Sequence, residues 1–195
     1  MLEYIDEAHL YLYNGVIIPS VSEILHKYLF KDKYKDVPES ILKAKAEYGS
    51  KVHEAIEYLE KNNKMLEGLN IHQELSVEQY LKIKEKYNLQ VLKQEEMVCY
   101  KGIYAGRFDM LANVNGKECL IDIKTTAELD LEYLSWQLSL YELAYGKKLE
   151  KLYALWLPKK GLGKLIEIER KSLEEIEKVI EGEKVWNLEK DKKLY

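Results

Sequence analysis

The chain has 195 residues, enough for one well-buried core and too few for two comfortable domains. Its 47% hydrophobic and 33% charged residues predict a water-soluble globular protein. No apolar run approaches a membrane span, and the opening Met1-Leu2-Glu3-Tyr4-Ile5-Asp6 lacks the basic start and apolar core of a secretion signal. The expected location is therefore the cytoplasm, without membrane association. A net charge of −4 argues against a protein that coats nucleic acid indiscriminately, yet 30 lysines and arginines allow local basic patches. The cysteines, Cys99 and Cys119, fall in neighbouring predicted strands and suit a reducing compartment. Two cysteines cannot ligate an iron–sulfur cluster, which takes four thiolates.

Read in chain order, Tyr11-Leu12-Tyr13, Asn14-Gly15 and Val16-Ile17-Ile18 predict an opening hairpin. Ser20 caps a helix, with Glu23 completing a capping box. A long helical pattern runs from about Pro38 to Lys61, with Pro38 in its first turn and Gly49 interrupting it. Ser76 with Gln79 reads as another capping box, opening a helix that reaches about Tyr87. Strands follow near Gln90–Tyr100, Tyr104–Val114 and Lys117–Lys124, the last two joined by Asn115-Gly116. A helix spans roughly Leu131–Gly146, with Gly146 as its stop. Two strands, Lys151–Leu157 and Lys164–Glu169, flank a turn containing Pro158, Lys159, Lys160, Gly161 and Gly163. Ser172 and Glu175 cap the last helix. No repeat, low-complexity stretch or linker interrupts the pattern.

The chemistry concentrates in Gly106-Arg107-Phe108-Asp109 and Leu120-Ile121-Asp122-Ile123-Lys124-Thr125. The hairpin places Asp109 and Asp122 on paired strands, close enough to share a cation. Lys124, two residues beyond Asp122, shares its face of the pleat. A surface hairpin with a solvated charge pair would account for these charges. However, Leu120, Ile121 and Ile123 make the strand apolar, and isolated charges in such a strand are costly unless they bind or pair. Two hard oxygen ligands beside a cation suit Mg²⁺-assisted phosphodiester hydrolysis. The carbonyl of Ile123 offers a third oxygen, and Thr125 and Thr126 offer hydroxyls to substrate phosphates. Lysine groups such as Lys31, Lys33 and Lys35, and Lys159, Lys160 and Lys164, offer backbone contacts to a polyanion or simply a solvated face. The 16 tyrosines offer stacking platforms for unpaired bases.

The pattern G-x-x-D, a hairpin, then apolar-D-x-K-T resembles the PD-(D/E)xK nuclease superfamily in its RecB-like branch. Gly49-Ser50-Lys51-Val52-His53-Glu54 resembles that branch's G-x-x-x-H-E helix. Gln137-Leu138-Ser139-Leu140-Tyr141 resembles its Q-x-x-x-Y helix. Pro19-Ser20-Val21-Ser22-Glu23-Ile24-Leu25 resembles the P-S-V-T-x-I-L opening of small members, which include the mitochondrial genome-maintenance exonuclease and many phage nucleases. The four matches run in family order from residue 19 to 141. The lack of cluster cysteines separates the chain from relatives that carry an iron–sulfur cluster.

The resemblance implies an α/β (α+β) chain with a restriction-endonuclease-like core, a central mixed β-sheet with an antiparallel hairpin flanked by helices. It implies one nuclease domain over 1–195, with the hairpin and helix of about 1–37 as an elaboration. One or two Mg²⁺ or Mn²⁺ ions are implied, held by Asp109, Asp122, Ile123 and His53. Glu57, on the same helical face as His53, is expected to orient its ring. Lys124 orients or deprotonates water. The resemblance also calls for a glutamate on the preceding strand. Alternation admits only one of Glu95 and Glu96, and Glu95 fits the family's E-x-x-V better, with the choice left open. Gln137 and Tyr141, four apart on one helical face, are implied at the scissile phosphate or holding Lys124. The implied function is a metal-dependent deoxyribonuclease, an exonuclease on single strands or duplex ends in recombination or repair, in a host cytoplasm if phage-encoded. A recombination or replication protein is a conceivable partner, and the oligomeric state is illegible. The alternative is a DNA-binding module on a nuclease fold.

Overall fold

Two asparagine–glycine steps shape the chain. Asn14-Gly15 (φ 52° and 79°) and Asn115-Gly116 (φ 51° and 84°) both take positive φ, the pairing that closes a two-residue turn matched to the twist of its strands. The first joins β2 (Leu10–Tyr13) to β3 (Val16–Ile18), and the second joins β5 (Tyr104–Val114) to β6 (Lys117–Lys124). The computed structural model describes residues 1–33 and 35–192. It has mixed α/β architecture, with five α-helices and two sheets among the described residues.

The small sheet gains a strand that sequence reasoning missed, β1 (Leu2–Ile5), antiparallel to β2 in the order β1-β2-β3. Ser20 then starts α1 (Val21–Tyr28). Its hydroxyl accepts the Glu23 N–H at 3.1 Å, and Glu23 accepts the Ser20 N–H at 2.7 Å. Helix α2 (Glu39–Asn62) follows Pro38 and runs unbroken through Gly49. Helix α3 (Ile71–Lys86) begins before the expected Ser76. The box that caps it is Asn70 with Gln73, and Ser76 is buried inside the helix, its hydroxyl donating to the His72 carbonyl at 3.1 Å.

The large sheet adds β4 (Gln90–Tyr100), β7 (Lys151–Trp156) and β8 (Lys164–Ile168) in the order β4-β5-β6-β7-β8. All neighbours are antiparallel except β6 and β7, which run parallel because α4 (Leu131–Tyr145) carries the chain back between them. Gly146, at φ 78°, ends α4, and α5 (Leu173–Lys192) closes the order. Cys99 and Cys119 are free and lie on β4 and β6, so β5 separates strands expected to be neighbours.

Both faces of this sheet are buried. Leu111, Leu120 and Ala154 pack with Val21, Ile24 and Leu25 of α1, Leu138 of α4 and Ile176 of α5. Met110, Ile121 and Ile123 pack with Val52 and Ile56 of α2 and Val77 and Tyr80 of α3. Each such buried Val, Leu, Ile or Met side chain contributes about 1.5–3 kcal/mol. Helix α1, expected as part of an N-terminal elaboration, is thus built into the main core. Ile121 and Ile123 face α2 and α3, so the pleat turns Asp122, with Leu120, toward α1 and α4. No helix among the described residues is long and apolar enough to cross a membrane.

Candidate metal centre

The β5–β6 ladder stops at the Met110–Ile121 pair. Beyond it, β6 pairs only with β7, through Asp122–Ala154 to Lys124–Trp156, while β5 continues along β4. Asp109 stands in this fork. Its Oδ2 accepts the Ile123 N–H at 2.6 Å, a side chain replacing the missing ladder bond.

Helix α2 brings His53 to the same place. It approaches closely because Gly49, one turn earlier, faces Thr125: a Cβ there would lie 3.2 Å from Thr125 Oγ1. His53 Nε2 is 3.0 Å from the Ile123 carbonyl oxygen, and Nδ1 is 3.5 Å from Asp109 Oδ1. With an acceptor at each nitrogen, the ring is best satisfied as the imidazolium, donating from both. Burial disfavours that charge, but Asp109 beside it and Asp122 beyond outweigh the burial and lift the His53 pKa to about 9.

Glu95 completes a three-residue group. One ligand atom from each of His53, Glu95 and Asp109 lies within 4.8 Å of the others. Glu95 sits at φ 50° within β4, a left-handed conformation costing of order 1–3 kcal/mol that in ordered proteins concentrates at functional sites. Arg107 Nε holds its carboxylate at 2.9 Å, and the guanidinium lies 5.1 Å over the Tyr4 ring. Burial and then the Asp109 charge raise the Glu95 pKa to about 7, against the pull of Arg107. Between the two candidate glutamates, the structure brings Glu95 to the group, while Glu96 pairs with Lys93 at 2.6 Å on the exposed side.

Asp122 is not in that tight group. Its Oδ2 meets Lys124 Nζ at 2.5 Å, an ion pair without well-directed hydrogen-bond geometry. Burial raises the Asp122 pKa, Lys124 opposes, and the net value is about 6. Lys124 is shifted upward: burial disfavours its charge, but Asp122 and Asp109 together more than compensate. Asp109 is held below the ordinary range, since His53 and Lys124 overcome the burial that would raise it. Opposed charges thus nearly cancel across the centre.

On the α4 side, Tyr141 is 6% and Gln137 7% exposed. Gln137 Nε2 donates to the Tyr141 hydroxyl at 3.4 Å, and its Oε1 meets no donor among the described residues. Burial and the charge of Asp122 push the Tyr141 phenol well above its usual range, so it is a neutral donor. Glu57, expected to orient His53, instead pairs with Lys61; an i, i+4 neighbour of opposite charge on the same helix is the nearer partner.

Thr125 is half-buried at the end of β6, whereas Lys159 and Lys160 are exposed on the turn between β7 and β8. Arg107 escaped sequence reasoning, although its signal was present. It pairs with Met97, which makes Glu95 its diagonal neighbour across the ladder. Two clefts of about 680 Å³ each flank the centre, one lined by Lys33, Lys45, Lys124 and Gln137, the other by Lys45, Tyr48, Thr125, Lys159 and Lys160.

Neither the family models nor the curated proteins include a match to this chain. Among solved structures, the chain is similar to one titled "Crystal structure of SSO0001", at 18% identity, over 71% of this chain and 74% of that one, with a TM-score of 0.39.

Proposed function

We propose that the chain is a divalent-metal-dependent DNA nuclease of the PD-(D/E)xK type, one domain over residues 1–195 on a restriction-endonuclease-like core, acting on single strands or DNA ends in recombination or repair. The reading is carried by one observation: the His53–Glu95–Asp109 group and the Asp122–Lys124 pair meet at one fork of the sheet, beside lysine-lined clefts. Carboxylate oxygens suit Mg²⁺ and Mn²⁺ alike, and the imidazole adds affinity for Mn²⁺. Asp109, Glu95 and His53 would hold the ion, with Asp122 and the Ile123 carbonyl beside them. A bound ion supplies Lewis-acid polarisation of the phosphate and a more acidic water.

The chain's own groups do the rest. His53 must surrender its proton to ligate. Lys124, kept protonated by Asp122, offers a positive charge and the N–H donors not turned to Asp122 to a phosphate or an attacking water. It acts by charge and donation, since a raised pKa makes it a poor base at neutral pH. Tyr141 and Gln137 contribute neutral polar groups from α4. End-labelled single-stranded and duplex DNA incubated with Mg²⁺, Mn²⁺ or EDTA tests the reading. Cleavage with either ion and none with EDTA is expected. DNA binding without cleavage in any ion would favour the nuclease-fold binding module instead.

A further inference from the structure

The cleft beside Thr125 differs in character from the one beside Lys124. It runs along α2, where Ile41, Ala44 and Tyr48 recur at helical spacing, and Lys45, Lys159 and Lys160 edge it. Its lining includes no carboxylate, and among the described residues none of those lysines is ion-paired with one. A cleft that is apolar along one wall and positive at its edge suits a ligand that is planar and apolar at one end and anionic at the other.

Tyr48 is prepared for such a ligand. Its hydroxyl donates to the His72 carbonyl at 3.0 Å and lies 3.0 Å from Ser76 Oγ, which pins the ring between α2 and α3. Lys159 Nζ lies over the ring face on the cleft side, 5.5 Å from the ring centroid, in the place a stacked planar group would take. A planar group stacking on the ring would displace the exposed, flexible Lys159 side chain, whose ammonium is then left for an anion. Thr125, which lines this cleft, packs against Gly49, one turn before His53 on the same helix, so the cleft adjoins the metal centre. A phosphate at the metal centre and a base over Tyr48 would therefore belong to neighbouring nucleotides of one strand.

We infer that the cleft formed by Ile41, Ala44, Tyr48 and Lys159 is a nucleobase pocket that seats an unpaired base of the substrate strand next to the scissile phosphate. The inference rests on the nuclease reading and adds its substrate class: the strand must be unpaired at this nucleotide, because a base paired in a duplex cannot leave the stack to enter the pocket without cost.

Fluorescence anisotropy in Ca²⁺, which suppresses cleavage, tests it with two labelled probes of equal length, an oligothymidylate and the same backbone bearing abasic sites. Wild-type protein is expected to bind the base-bearing strand more tightly. Tyr48→Leu and the surface substitution Ile41→Ser should each lose about tenfold toward oligothymidylate, the loss expected of one stacked base, and little toward the abasic strand. Tyr48→Phe should retain the preference, while Lys159→Ala should weaken both probes alike. No preference for bases in the wild type, or equal losses on both probes, would overturn the pocket and leave the nuclease reading standing. Failure of the wild type to bind either probe would overturn both.

Discussion

The Tyr141 ring occupies the space that a side chain at Gly106 would need: a Cβ built there would overlap Tyr141 Cε1 and come within 3.2 Å of Val21 Cγ2. The glycine of the G-R-F-D segment is thus a packing requirement that lets α4 lie against β5. Gly106→Ala should destabilise the protein by about 1–3 kcal/mol, the usual cost of overpacking a core, and should slow cleavage by displacing Tyr141. Urea denaturation and turnover measure the two effects. Wild-type stability in the variant would show that the ring moves aside freely.

Asp122 and Lys124 form a largely buried pair, so removing one charge leaves the other stranded. Asp122→Ala is therefore expected to destabilise the metal-free protein, by roughly 1–3 kcal/mol after allowing for the partial exposure of Lys124. The double variant Asp122→Ala/Lys124→Met should recover stability and remain inactive. If the double variant is no more stable than Asp122→Ala alone, the pair is not what holds this region.

The metal-free centre should lose stability as pH rises. His53 (about 9), Glu95 (about 7) and Asp122 (about 6) all have folded values above their ordinary ones. A raised value stabilises fully below the ordinary pKa and is lost as pH passes through the folded one. Melting temperature in EDTA should therefore fall between about pH 4 and pH 9, with the part above about pH 6.5 contributed mainly by His53. Asp109, shifted down, works in the opposite sense and only at the acid end. A His53→Gln profile as steep as wild type above pH 7 would remove the imidazolium from the account.

Cation binding should run the other way. A ligating imidazole must be neutral, so Mn²⁺ displaces a proton from His53 and affinity should rise from pH 6 to pH 9. Calorimetry in two buffers of different ionisation enthalpy counts the protons, and release of close to one or more per ion is expected at pH 7.5. Binding without proton release would place the ion away from His53.

Arg107 opposes the upward shift of Glu95, and without it the carboxylate pKa should climb further. Arg107→Gln should weaken Mn²⁺ binding several-fold at pH 7 and recover much of it at pH 8.5, where Glu95 ionises unaided. A deficit that is the same at both pH values would mean that Arg107 acts by shaping β4 rather than through charge.

The elements most readable in the sequence were those whose signal is local and repeated. β5 and β6 are joined by the Asn115-Gly116 turn, and the pleat's period of two places Lys124 on the face of Asp122 before any packing is known. The start of α3 was misplaced because Asn70 with Gln73 and Ser76 with Gln79 are equally good capping boxes. Only packing chooses between them, by burying Ser76 and leaving Asn70 at the free helix end. β1 is four residues long and gains its meaning from β2 alone.

At the centre, the residue types were legible and their partners were not. Asp109, Asp122, Lys124 and His53 stand out from motif and spacing, but several carboxylates compete for few cations. Distance in three dimensions settles that competition: Lys124 takes Asp122, His53 takes Asp109, Lys61 takes Glu57, and Arg107 takes Glu95. Parity along a strand decides which face a side chain occupies. The end of the β5–β6 ladder and the close approach of α2 at Gly49 decide which charges meet, because Coulomb interactions fall with distance and strengthen with burial, both properties of the folded chain.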